Sequence, residues 1–226
     1  MSDLRSILAV LQYGDSFFPS GAVSFSWGLE DLADRGALAT SEDVQSFVTG
    51  QLRARWANFD RVVVASAHRA SADLTEVAAI DERVEIHTSA EEVRSGSQRA
   101  GHALLSSCAR LDVPGAASYR AMVTRGEALG HNAAMQGMLW ARAGLSETDA
   151  IALSAHTFCV GLAGAGIRLG RLTHIDAQRI LTVAREEAAR IGDRPMPPIE
   201  QISSFAIEAE IAVIRHASRD IRLFAN

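Results

Sequence analysis

The chain has 226 residues, 48% of them hydrophobic, and a formal net charge of −5. That is enough material for one large domain with a buried core, and the acidic balance excludes a general nucleic-acid footprint. All 22 basic residues are Arg, which excludes a Lys-dependent phosphate loop, a Schiff base and a Ser–Lys dyad.

The first helix is signalled by Leu4, Ile7, Leu8 and Leu11, at i, i+3, i+4 and i+7, and closes near Gly14. A corner follows over 11–30. Pro19 fixes its own φ and pushes Phe18 out of the α region, and Gly21 supplies a permissive backbone. A second helix starts behind Ser24 or Ser26 as cap, uses Phe25, Leu29 and Leu32 as its apolar positions, and ends near Gly36. Ser41-Glu42-Asp43 opens the next, with Val44, Phe47, Val48, Leu52, Trp56 and Phe59 on one face, and Asp60 restarts a helix carrying Val62 to Val64.

The region 73–87 reads as helix, and Ser89-Ala90-Glu91-Glu92 as a capping box for a helix ending at Pro114-Gly115. Gly126 and Gly130 divide the stretch 119–140 into two segments, and Gly144 stops the second. Ser146 to Asp149 opens an apolar helix to about Leu169, along which Ala155, Cys159 and Ala163 recur every four residues. At 150–167 this is the most apolar stretch, but it holds Ser154, His156 and Thr157 and is short for a membrane span, so a buried central helix is expected. Thr173 caps a helix to about Ile191, and a last helix starts near Ile199 after a short Pro-rich linker. The reading is an all-α single-domain bundle of about ten helices over 1–226, with a docking helix at 199–226.

No residue set assembles an acid, a base and a nucleophile. Cys108 and Cys159 lie in apolar helical context and read as buried, inert thiols rather than a disulfide. His87 and Glu91 stand four apart, but a helix start between them spoils a shared metal face. No basic segment precedes an apolar core at the N-terminus, so no secretory signal is expected. Catalytic residues, metal ligands and cofactors are therefore assigned to none. The last helix carries an apolar stripe, Ile207, Ile211, Ile214 and Ile221, beside a basic one, Arg215, Arg219 and Arg222. The basic stripe is either a solvated face or a carboxylate-recognising end.

The corner, with Leu11-Gln12, Asp15-Ser16, Phe18-Pro19, Gly21, Ser26 and Gly28-Leu29-Glu30, resembles the N-terminal signature of the urease accessory protein UreF family, L-Q-x-x-D-S-x-F-P-x-G-x-x-x-x-S-x-G-L-E, without a gap. Arg215-His216 and Arg222-Leu223-Phe224 resemble the family's ending R-H-E-x-x-x-S-R-L-F. Asp60 with His68-Arg69-Ala70, Glu92 with Arg94, Ser97 and Gly101, and His131 with Gly137 continue the likeness. Ala217, Asp220 and Arg171 depart from it.

The resemblance implies an all-α, cytoplasmic homodimer without catalysis of its own. It would bridge UreD (also called UreH) and the GTPase UreG on apo-urease and support GTP-dependent nickel insertion. The partner-binding residues it implies are Phe18, Pro19, Gly21, Phe25, Ser26, Trp27, Gly28 and Glu30, with Arg215, His216, Arg222, Leu223 and Phe224. No nucleic acid and no membrane enter this reading. The bottom-up alternatives are a small all-α enzyme with a thiol nucleophile and a helical scaffold unrelated to nickel.

Overall fold

Helices begin where short polar side chains take up the free amides of a first turn. In the computed structural model, which describes residues 4–20, 27–204 and 212, they are α1 (Leu4–Gly14), α2 (Leu29–Asp34), α3 (Ser41–Gln51), α4 (Arg61–Arg69), α5 (Leu74–Ile86), α6 (Glu91–Arg110), α7 (Ala116–Thr124), α8 (Asn132–Arg142), α9 (Glu147–Arg168) and α10 (His174–Gly192). Thr40 with Asp43 and Thr173 with Asp176 form capping boxes for α3 and α10. Asp73 accepts from the amides of Thr75 and Glu76 at α5, and Ser146 caps α9. No strand occurs among the described residues, and the all-α expectation holds.

Four local expectations change. Asp60 does not restart a helix, because α3 continues through a π-helical segment, Leu52–Asp60, directly into α4. The box expected at Ser89 does not form; Ala90 is the N-cap of α6 and no side chain caps it. The second helix begins at Leu29 behind Gly28, and Ser24 and Ser26 lie outside the described residues. Of the helix expected from Ile199, the described residues hold a short 3₁₀ turn, Ile199–Gln201, and Ala212.

The buried side chains form two clusters that meet along α9. One gathers Phe59, Val62, Val63, Leu104, Tyr119, Met135, Met138 and Leu153 from the π segment and α4, α6, α7, α8 and α9. The other gathers Leu29, Val44, Val48, Leu52, Trp56, Leu162 and Ile180 from α2, α3, the π segment, α9 and α10. Among the described helices α9 alone is long and apolar enough to suit a bilayer, but it packs against α1, α2, α3, α4, α8 and α10. Ala155, Cys159 and Ala163 on it are all buried, as the four-residue spacing predicts.

Two glycines set how closely these helices approach. A Cβ at Gly137 would lie 2.3 Å from the Val64 carbonyl oxygen, so α8 crosses α4 with backbone nearly touching backbone. A Cβ at Gly101 would lie 1.9 Å from the Gly130 oxygen, where α6 passes the loop before α8. Neither obstacle is a side chain that could swing aside. Gly137→Ala is expected to cost about 1–3 kcal/mol by forcing α4 and α8 apart. A lower urea midpoint with an unchanged m-value is the readout.

The same loop is held by one buried carboxylate. Asp81 accepts from the amides of Leu129, Gly130 and His131 and from the Tyr119 hydroxyl, at 2.5–3.0 Å. His131 is fully buried, and its Nε2 lies 2.8 Å from Glu85, whose other oxygen meets Arg94 at 3.1 Å. Burial holds the His131 imidazole below its usual pKa, although Asp81 and Glu85 pull the other way. The stability this contributes is present above the unfolded value near 6.5 and is lost as pH falls below it, because the unfolded chain then takes up the proton more readily. The urea midpoint is expected to fall between about pH 7 and pH 5.5, and His131→Gln, whose amide can still donate to Glu85, should flatten that fall.

At the far end of α10, buried Arg61 donates to the carbonyls of Ile191, Arg194, Pro195 and Ala57. Its cation lies at the negative end of the α10 dipole, and it fixes where the chain leaves that helix.

Candidate docking surfaces at the N-terminal corner

The turn after α1 is built by Asp15. Its side chain accepts from the Phe17 amide at 2.7 Å, and its carbonyl accepts from the Phe18 amide at 3.0 Å. Phe18 turns inward and meets Tyr13 edge-on at 4.9 Å between ring centres. Pro19 stays at the surface, and its carbonyl accepts from Ser107 of α6 at 3.0 Å. Phe17 points the other way and is 94% exposed. Between the turn and the end of α6 lies an open groove of about 610 Å³, lined by Gln12, Phe17, Phe18, Pro19, Arg110 and Leu111 among others.

On the other side of the corner, Trp27 and Gly28 both take positive φ, 53° and 83°, immediately before α2. That backbone is strained for a Trp, and packing holds it there. The Arg55 guanidinium sits 4.1 Å from the Trp27 ring centre and 5.1 Å from that of Phe59, and Phe158 lies 5.9 Å from Trp27. Arg55 also meets Asp60 at 3.1 Å, both largely buried. Residues five apart lean away from each other in an α-helix; the π winding between them brings this pair together. Arg55, Asp60, Ser97, Asn132, Gln136 and Thr157 line a small polar slot of about 50 Å³ beneath Trp27, room for one or two waters. Ser97 reaches across it to the amide of Asn132 at 3.2 Å.

Of the residues expected to bind partners, Pro19 is exposed and Phe18 and Trp27 are half-buried, whereas Gly28 and Glu30 are buried. A direct contact by Glu30, 4% exposed, would require α2 to move. Gly21, Phe25, Ser26, Arg215, His216, Arg222, Leu223 and Phe224 lie outside the described residues. Sequence reasoning missed Arg55, whose stacking on Trp27 depends on a contact across 28 positions of chain. It also missed that the apolar stripe of α1 faces out: Leu4, Ile7, Leu8 and Leu11 are all exposed.

The thiols point away from nucleophilic chemistry. Cys108 and Cys159 are free and buried, and burial pushes each up to about 12. Cys159 shares a groove between α9 and α10 with His156 and Asp193, yet at neutral pH it stays protonated. Neither thiol should react with a disulfide reagent at about pH 8 in the folded protein, and both should react once guanidinium unfolds it. Fast labelling of Cys159 in the native state would restore the nucleophile reading.

The fold is thus all-α, and among the described residues α1 and the corner present exposed apolar side chains. A family model described as UreF matches residues 38–185. The chain is 28% identical over its full length to a urease accessory protein UreF of Trichodesmium erythraeum, covering 99% of that protein. It is 26% identical over 97% of its length to one from Yersinia enterocolitica, covering 98% of it. It is 28% identical over 99% of its length to a urease accessory protein UreF 1 of Brucella melitensis, covering 94% of it. The chain belongs to the UreF family of urease accessory proteins.

Proposed function

We propose that this chain is a non-catalytic adaptor of urease maturation. It docks on a UreD-type (UreH-type) accessory protein, receives a UreG-type GTPase, and supports GTP-dependent insertion of nickel into apo-urease, working in the cytoplasm as a pair of copies. Nickel is cargo in this scheme. The observation that carries the proposal is the likeness to urease accessory proteins from end to end, including both termini that lie beyond the family-model match. The corner and the tail are the contact regions: the first through Phe18, Pro19, Gly21, Phe25, Ser26 and Trp27, the second through Arg215, His216, Arg222, Leu223 and Phe224. Rigid aromatic groups lose little entropy on docking, and Arg suits carboxylate recognition.

The test is reconstitution with the full chain and a truncation after Arg219. The full chain should be captured by the UreD-type protein, recruit the GTPase and raise urease activity when nickel and GTP are supplied. The truncation should lose capture and activation while its melting temperature changes by no more than about 2 °C. Retained capture with a large loss of melting temperature would assign the tail to folding instead.

A further inference from the structure

Trp27 takes a backbone conformation that its own side chain disfavours. Its φ is 53°, and Gly28 follows at 83° on the way into α2. A glycine adopts such an angle freely, whereas a bulky residue adopts it only where its surroundings hold it. The strain of this double left-handed step therefore falls on Trp27.

The group lying over the Trp27 ring is a cation. The Arg55 guanidinium is 4.1 Å from the ring centre, well inside the reach of a cation–π contact. Trp27 also packs on the edge of the second core cluster and makes a tilted contact with Phe158 at 5.9 Å. An apolar edge attracts an indole without setting its plane; a planar cation stacked over its face does both.

Arg55 is fixed independently of Trp27. It is 6% exposed, it meets Asp60 at 3.1 Å, and its guanidinium also lies over the Phe59 ring at 5.1 Å. Its planar head therefore stays where Asp60 and Phe59 put it, and the indole is aligned on a rigid support. Were φ at position 27 to relax to a negative value, the ring would leave that support. A partner that reads the ring in the stacked pose would then bind only the fraction of chains that keep it, and its apparent affinity would fall by that fraction. A buried Arg55 cannot meet the partner itself, so any effect it has on docking passes through the half-buried Trp27.

We propose that Arg55 is a positioning residue for partner capture: it holds Trp27 in the left-handed pose in which the exposed part of the ring meets the partner. This rests on the reading above that the corner is a contact region, and it gives Arg55 a duty that no contact of its own could perform.

Two measurements on the full chain test it: capture by the UreD-type protein together with the GTPase, and fluorine NMR of chain labelled with fluorotryptophan. The chain has three Trp, and Trp27→Phe assigns the line of Trp27. Trp140, buried in the other core cluster, reports on the fold. Arg55→Met with Asp60→Asn removes the cation and its counter-charge together, so no unpaired charge is left buried. This variant should move the Trp27 line toward that of free fluorotryptophan and leave the Trp140 line in place. It should also weaken capture by roughly tenfold or more. Arg55→Gln with Asp60→Asn should do the same and guards against a packing defect in the first variant. Arg55→Lys keeps a cation at the ring and should hold capture within about threefold of wild type. In a Trp27→Leu chain, Arg55→Met with Asp60→Asn should cost no further capture, because the group through which Arg55 acts is gone. A Trp27 line that stays in place in both uncharged variants, or capture equal to wild type, overturns the inference while the reading of function stands. Losses that add in the Trp27→Leu chain overturn it as well and leave Arg55 a structural residue. A wild type that neither protein captures overturns the reading of function, and the docking role of Arg55 falls with it.

Discussion

The half of the fold built on α4 to α8 depends on where one carboxylate is buried. Asp81 has no solvent exposure, and a carboxyl group in that position is tolerable only if its oxygens are used. Three consecutive amides ahead of α8 and the Tyr119 hydroxyl supply those bonds. The arrangement works in both directions. The loop before α8 would otherwise hold buried, unmatched N–H groups, and Asp81 would otherwise be a buried acceptor without donors. Because α5 carries the acid, α7 the phenol and the head of α8 the amides, one group fixes the relative position of three helices. Gly130, with a φ of 80°, gives the loop the curvature to present its amides inward. Gly101 lets α6 lie against that loop without a side chain in the way.

Much of this was legible in the sequence at the level of elements. Asp73, Ser146 and Thr173 announce helix starts through local chemistry that tertiary packing does not disturb, and the start read at Ser41 lies one residue after the Thr40 that caps it. Gly126 and Gly144, both at positive φ, end helices for the same local reason. The positions that carried the family likeness away from the corner have physical explanations that the sequence could not supply. Gly101 and Gly137 are contact points between backbones, His131 is a buried partner of Glu85, Arg94 reaches the carbonyls of Thr88 and Ser89, and Asp60 closes an ion pair with Arg55. These are architectural duties. Within the signature at the corner Pro19 is exposed, and Phe17, at a position the signature leaves open, is exposed beside it.

What the sequence did not reveal depends on distant chain. The periodicity of α1 is that of a core-facing helix, and nothing local says that its apolar side looks outward. The polar slot under Trp27 draws on the π segment, α6, α8 and α9, so no window of sequence contains it. Ser89 had a good capping sequence and does not cap, and Arg94 takes the Thr88 and Ser89 carbonyls instead. The π segment itself carries no compositional mark. Its widened winding is visible only where Arg55 meets Asp60 and where the Asn58 amide reaches the Arg53 carbonyl.

That winding has a consequence for how the chain can vary in length. The rod 41–69 serves two cores: α3 turns Val44 and Val48 toward α9 and α10, and α4 turns Val62, Val63 and Ala67 toward α5 and α8. The π turns set the angular phase between those two faces. Each residue of an α-helix advances the face by about 100°, so losing one position in 52–60 would aim the Val62–Ala67 face out of its cluster while leaving every loop intact. Insertions and deletions are ordinarily absorbed at turns. Here the most length-sensitive part of the chain is the middle of its longest continuous helical rod, and natural variation in chain length should fall elsewhere.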